Sequence, residues 1–177
     1  MKLILINGLP GTGKTTLLEA LSKELRLPVV AKDQIKELLL DTLGHEDREW
    51  SKRLGRISIE FLYTLSREMI AANSTFIVEG AFEYEFAKPA FEAMLSGHQI
   101  DVVELYCRTD ATIRRERFKA RNESGKRHPG HMDHVNYMAD DEPEPLEKYR
   151  PLEIGRVVYI DTDTAYNIDA IIKELAL

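Results

Sequence analysis

The chain has 177 residues, 31% of them charged, and a formal net charge of −6 at pH 7. That length suits one domain with a core of its own, and no apolar run approaches the roughly 20 residues a membrane-spanning helix needs. The single cysteine, Cys107, excludes a disulfide framework within a monomer, and the acidic balance disfavours non-specific nucleic-acid binding. A soluble, cytoplasmic protein is expected.

Lys2–Ile6 is a short aliphatic run of buried-strand type. It is too short for the roughly 7–15-residue apolar region of a signal peptide, and Asn7-Gly8 ends it. A glycine-rich turn follows, then a helix with Leu17, Leu18, Leu21 and Leu25 on one face. Pro28–Ala31 predicts a second strand, Asp33–Asp41 a helix with Ile35, Leu38, Leu39 and Leu40, and Thr42–Glu46 a turn around Gly44. A long helix from about Asp47 to Ala72 is expected to bury a stripe of Trp50, Leu54, Ile57, Phe61, Leu65 and Met69. Thr75–Val78 predicts a third strand, and Glu85–Leu95 a helix interrupted near Pro89. Gln99–Cys107 follows as a fourth strand with Cys107 in the core, and then a helix over Asp110–Asn122. Asn122–Tyr149 carries Gly, His, Pro and acidic residues without a period, the profile of a mobile excursion. Arg156–Ile160 is the fifth strand and Tyr166–Leu175 the closing helix.

Strands alternating with helices predict an α/β fold of three layers, with a five-stranded, mainly parallel sheet covered by helices on both faces. Ligands of such sheets sit beyond the carboxyl ends of the strands. Asn7-Gly8, Asp33, Glu79 and Asp161 all fall just past predicted strand ends.

The turn after the first strand reads Gly8-Leu9-Pro10-Gly11-Thr12-Gly13-Lys14-Thr15 and fits G-x-x-x-x-G-K-[ST]. The pattern acquires meaning from its context, a strand before and a helix after. Its glycines let the backbone approach an anion closely, and the following helix aims unpaired N–H groups and its positive dipole end at the same point. The motif predicts a nucleotide contact from Gly8 through Pro10, Gly11, Thr12, Gly13 and Lys14 to Thr15 and Thr16. Lys14 would reach the β- and γ-phosphates and the Thr15 hydroxyl would ligate Mg²⁺.

Charge is unevenly spread. Arg108–Arg127 holds eight basic residues against Asp110, Glu116 and Glu123, whereas Asp133–Glu147 is acidic, with Asp140, Asp141, Glu142 and Glu144 clustered. A locally basic segment in an acidic protein suggests bound phosphate rather than a polyanionic partner. His128, His131 and His134 recur every third residue. A structural zinc site normally wants four ligands, and no cysteine lies nearby. Contacts to substrate or to the segment's own backbone are expected instead.

The sequence resembles the P-loop small-molecule kinases: chloramphenicol phosphotransferase-like, polynucleotide-kinase-like and nucleotide-kinase-like proteins. Besides the loop, VVAKDQIKELL resembles that group's second-strand segment, TFIVEGAF the third-strand segment, and CRTDATIRRERFKARNESGKRHPGH the fourth strand, lid helix and lid. The resemblance implies that Asp33 lies beside the acceptor hydroxyl as a base, and that Glu79 stands near Mg²⁺. It implies that Arg117 covers the adenine and that Arg121 stabilises charge on the transferring phosphoryl, with Arg127 a further candidate for that work. Asp161 and Thr162 resemble the loop that flanks adenine. Asp33 has a simpler reading as a helix N-cap, Glu79 as a solvated turn residue, and the arginines as a solvated basic face.

These readings predict one P-loop kinase-like domain over 1–177 with a lid at about 122–149. The expected activity is transfer of the γ-phosphoryl of ATP, with Mg²⁺, to a hydroxyl of a small molecule. A kinase of nucleotides or of nucleic-acid 5′ ends, and a nucleotide-hydrolysing switch, are the alternatives. RHPGHMDH through DDEPEP matches no substrate-defining motif, so the acceptor and the oligomeric state stay open.

Overall fold

The central strand β1 (Lys2–Asn7) is buried along its whole length, and its alternating side chains divide the core in two. Leu3 and Leu5 point to one face of the sheet, and Ile4 and Ile6 to the other. The computed structural model describes residues 1–125, 127–132 and 146–176. In chain order β1 is followed by α1 (Lys14–Leu25), β2 (Val29–Ala31), α2 (Lys32–Leu43), α3 (Arg48–Ala71), β3 (Phe76–Glu79), α4 (Tyr84–Leu95), β4 (Asp101–Arg108), α5 (Ala111–Glu123), β5 (Arg156–Asp161) and α6 (Ile168–Leu175). A short 3-10 turn spans Pro129–His131.

The five strands lie in the order β2-β3-β1-β4-β5, and every pair is parallel. The Leu3/Leu5 face packs on α3 and α4 through Leu62, Tyr63, Ile70, Ala87 and Phe91. The Ile4/Ile6 face packs on α1 and α6 through Leu17, Leu21, Ile171 and Leu175. Each fully buried aliphatic side chain contributes on the order of 1.5–3 kcal/mol, so this two-sided burial fixes the strand register. Neighbouring strands leave β1 in both directions, which opens the sheet's switch-point crevice directly above Asn7.

The α/β three-layer architecture agrees with the sequence reading, and the differences have local causes. Helix α2 runs two residues past Asp41 and ends at Gly44, whose φ of 81° suits a residue without Cβ. Helix α4 is unbroken through Pro89. Pro89 is exposed, so the carbonyl that its missing N–H leaves unengaged is on the wet side. The buried face of α3 is not the aliphatic stripe. It runs through Ser51, Leu54, Ser58, Leu62, Ser66 and Ile70, while Phe61 and Leu65 are 49% and 40% exposed. Ser58 and Ser66 donate to the carbonyls of Leu54 and Leu62 at 2.7 Å, which satisfies their hydroxyls within the helix and makes them small core residues.

Half of the expected lid, with Asp133, His134 and the Asp140–Glu144 acidic cluster, lies outside the described residues. Among the described residues no helix is long and apolar enough to cross a membrane.

Candidate active site

The loop from Gly8 to Gly13 rises from the carboxyl end of β1 with positive φ at all three of its glycines, 141° at Gly8, 89° at Gly11 and 81° at Gly13. At Gly8 a Cβ would meet the Cys107 carbonyl oxygen at 2.3 Å, so the loop can lie flat on β4 only with glycine there. Cys107 itself is fully buried, and burial pushes its thiol up to about 12, as befits a core residue. Gly13 occupies the cap position of α1, and among the described residues no side chain caps the first N–H groups of that helix. Asp47, Asp110 and Asn167, by contrast, cap α3, α5 and α6 with their side chains. The α1 terminus is a donor array that suits an anion.

Lys14 is 7% exposed and donates from Nζ to the Leu9 carbonyl at 2.7 Å. Burial lowers the affinity of its ammonium for the proton, and the field of Glu79 opposes that. Glu79 ends β3 and is 4% exposed, not a solvated turn residue. Burial raises its carboxyl, and Lys14 pulls it back. Thr15 and Thr16 are exposed at the mouth of the cleft.

Across the cleft, Asp33 stands in the first turn of α2. Ala31, not Asp33, holds the cap position, so the capping alternative for Asp33 is corrected. Its carboxylate pairs with Lys32 at 3.0 Å and with Arg127 at 2.9 Å. Burial by itself would raise this carboxyl, yet Lys32 and Arg127 together hold it well below the ordinary Asp range.

Arg127 therefore sits on the carboxylates of α2, bridging Asp33 and Glu37. It also donates to Nδ1 of His131 at 2.9 Å, which leaves Nε2–H of that ring to donate to Glu37 at 2.9 Å. The two bonds fix a neutral tautomer. Burial, reinforced by Arg127, pushes His131 down to about 2. His128 turns outward to Asp41 at 3.1 Å.

On α5, Arg117 donates to the Thr162 hydroxyl at 3.0 Å and to its carbonyl at 2.6 Å. The Thr162 hydroxyl in turn donates to the Thr12 carbonyl at 3.0 Å, which ties the β5 end to the phosphate loop. Arg121 lies over the Phe118 ring, 5.0 Å from its centroid, and both line the cleft. Asp161 is exposed, accepts from the Asp163 N–H at 3.0 Å, and does not line the cleft. Of the expected site residues, then, Pro10, Gly11, Gly13, Lys14, Thr15, Thr16, Asp33, Glu79, Arg117, Arg121, Arg127 and Thr162 share one cleft of about 1330 Å³. Gly8 and Thr12 shape the loop from beneath.

Sequence reasoning missed a buried polar node under the loop. The Asn7 amide donates to Glu104 Oε1 at 2.9 Å, while its Oδ1 accepts from the N–H groups of Gly8 and Phe82 at 2.7 and 3.2 Å. Glu104, fully buried in β4, also accepts from the backbone of Leu152 and Glu153 at 2.9 and 3.0 Å. Its signal was a lone acid inside an otherwise apolar buried strand. Arg114 was missed too: it is 6% exposed and donates to the Pro10 carbonyl at 3.2 Å.

Residues 3–143 match the family described as an AAA domain. The chain belongs to that family. Among solved structures, a candidate kinase from Chloroflexus aurantiacus J-10-fl is 30% identical, with a TM-score of 0.85 over 99% of this chain and 96% of that one. The APS kinase of Mycobacterium tuberculosis, solved with AMPPNP and APS, is 16% identical with a TM-score of 0.60 over 99% and 95% of the two chains. A gluconokinase from Sinorhizobium meliloti is 15% identical with a TM-score of 0.51 over 98% and 89%. No curated protein matches the chain. The fold is that of the P-loop kinases, as the resemblance implied.

Proposed function

We propose that this protein binds ATP with Mg²⁺ and transfers the γ-phosphoryl group to a hydroxyl of a small-molecule acceptor. One observation carries the reading: the start of α1 with Lys14, and the Asp33 carboxylate, line a single cleft, and the charge of Asp33 reaches Lys14. A cleft of about 1330 Å³ exceeds the roughly 300–1,000 Å³ of a site for one small ligand, so it has room for two.

The N–H groups at the start of α1 and the Lys14 ammonium hold the β- and γ-phosphates. Thr15, with Glu79 beside Lys14, is where Mg²⁺ would be held, and that ion would neutralise charge between the two phosphates. Arg121 adds positive charge, and Arg117 with Thr162 forms the wall on the base side. Asp33 receives the proton of the acceptor hydroxyl as its oxygen bonds to the γ-phosphorus. The bond from that phosphorus to the β-phosphate oxygen breaks, and ADP leaves. Asp33 is ionised and positioned to accept that proton, while the cations that hold its carboxyl low make it a weak base.

The test is acceptor-dependent ADP release across a panel of sugars, antibiotics, nucleosides and other hydroxyl compounds. The proposal expects at least one compound to stimulate release well above the rate with water alone. Release that no acceptor changes, and that a protein partner raises, would instead favour a nucleotide switch.

A further inference from the structure

Asp33, Glu37 and Asp41 stand one helical turn apart, so α2 carries three carboxylates on one face. The segment after α5 meets each of them. Arg127 pairs with Asp33 and Glu37, His131 with Glu37, and His128 with Asp41. Within the expected lid, then, residues 127–131 are docked.

The dock is built into two helices. A Cβ at Gly130 would meet the Leu40 side chain at 2.6 Å and that of His45 at 2.9 Å, so the turn lies flush on α2 and on the loop before α3. Ser51 of α3 donates to the Gly130 carbonyl at 2.6 Å, and Lys36 of α2 donates to the Ser51 hydroxyl at 2.8 Å. Nδ1 of His128 accepts from the Gly130 N–H at 3.0 Å. The His131 ring held by this backbone is 4% exposed.

That ring is an acceptor of fixed direction. An arginine only donates, so Nδ1 of His131 must offer its lone pair to Nη2 of Arg127, at 2.9 Å. Glu37 accepts from Nε2–H at 2.9 Å and so excludes the other tautomer. Nη2 of Arg127 has two hydrogens, and its second partner is Oδ2 of Asp33 at 2.9 Å. A partly exposed ion pair alone orients two flexible side chains weakly. Here the buried ring sets the plane of the guanidinium.

We propose that His131 is a positioning residue of the active site, whose Nδ1 holds Arg127 in the orientation that aims the Asp33 carboxylate at the acceptor hydroxyl. The inference rests on the kinase reading for its effect on turnover, while the clasp itself is testable without a substrate. Freeing Arg127 makes Asp33 a stronger base but lets its carboxylate turn away. Phosphoryl transfer asks the protein chiefly for position and charge, and a misplacement of about 1 Å costs up to about 10²-fold in rate. Orientation therefore outweighs basicity.

Three substitutions divide the two bonds of the ring. His131→Asn keeps an acceptor where Nδ1 stands, His131→Gln keeps a donor where Nε2 stands, and His131→Leu keeps neither. Nitrogen-15 NMR of the wild type should show Nδ1 bare and Nε2 protonated. Resolved Arg127 Nη–H signals should persist in His131→Asn and be lost to exchange in His131→Gln and His131→Leu. A protonated Nδ1, or Arg127 signals alike in all four proteins, overturns the clasp.

With the stimulating acceptor, kcat should fall by about 10–10²-fold in His131→Gln and His131→Leu and stay within about threefold in His131→Asn. KM for MgATP should hold throughout, because the phosphate loop is untouched. Turnover that follows the melting midpoint rather than the acceptor at Nδ1 would reduce the ring to packing and overturn the proposal. A kcat that rises in His131→Leu would overturn it too, since Arg127 would then restrain Asp33 instead of positioning it. The expected NMR pattern, with no acceptor ever drawing ADP release, would remove the kinase reading and with it the positioning role, while the clasp stands.

Discussion

The Arg127 guanidinium rests on the Asp33 carboxylate, Nη2 to Oδ2 at 2.9 Å. The other oxygen of Asp33 is held by Lys32 at 3.0 Å. The residue proposed to take the acceptor's proton is thus paired with two cations, and Arg127, expected near the transferring phosphoryl group, is held by the carboxylates of Asp33 and Glu37.

Asp33→Asn preserves size and removes the proton acceptor. Phosphoryl transfer is expected to fall by about 10²–10⁴, the usual worth of a general base, while ATP affinity holds. The same variant tests the ion pairs. The folded Asp33 carboxyl lies well below its ordinary value of 3.8, so its contribution to stability is present above that pH and is lost as the pH falls towards the folded value. The melting midpoints of wild type and variant should differ at neutral pH and converge in acid. Turnover within a factor of about three of wild type, far short of the general-base range, would move the role to Glu79.

His131 gives a second pH signature. Its folded value is pushed down from 6.5 to about 2. Between those limits the unfolded chain binds a proton that the folded chain does not, so stability drops as the pH falls below about 6.5. His131→Gln should flatten the fall in melting midpoint between neutrality and mild acid. An unchanged slope would show that the ring is accessible to protons and that the Arg127–His131–Glu37 clasp is not closed.

The node beneath the loop predicts stability effects far from any ligand. Glu104→Ala strands the Asn7 amide and the N–H groups of Leu152 and Glu153 in a buried site. A cost of about 1–3 kcal/mol for each donor left unsatisfied is expected. Thermal unfolding measures it, and a change under about 1 kcal/mol, within the range of ordinary substitutions, would mean that the node is hydrated.

Gly8→Ala combines a φ of 141° with a 2.3 Å approach to the Cys107 carbonyl. It should destabilise the fold by more than the roughly 0.4–1 kcal/mol that Gly→Ala yields at compatible positions, and weaken MgATP binding through displacement of the loop. Calorimetry with a melting curve on the same protein checks both. Wild-type values would show that the loop is free to move off β4.

The loop was legible in the sequence because its constraints are local: Gly8, Gly11 and Gly13 are required by backbone angles within a few residues of each other. The strands were legible because β1, β3 and β4 are near-continuous apolar runs, the mark of a sheet covered on both faces. The Asn7–Glu104 bond joins residues 97 apart: the lone acid in an apolar strand marks Glu104, but nothing local marks its partner. The α3 face misled apolar periodicity because Ser58 and Ser66 hide their hydroxyls on their own helix.

The account's central claim is that the γ-phosphoryl group leaves ATP for an acceptor hydroxyl. Phosphorus-31 NMR of the protein with MgATP and the stimulating compound from the acceptor panel follows that group directly. The account predicts a new phosphomonoester resonance that grows in step with ADP and stays absent in Asp33→Asn over the same period. ATP consumed to ADP and free inorganic phosphate alone, at equal rates with and without every acceptor, would contradict it.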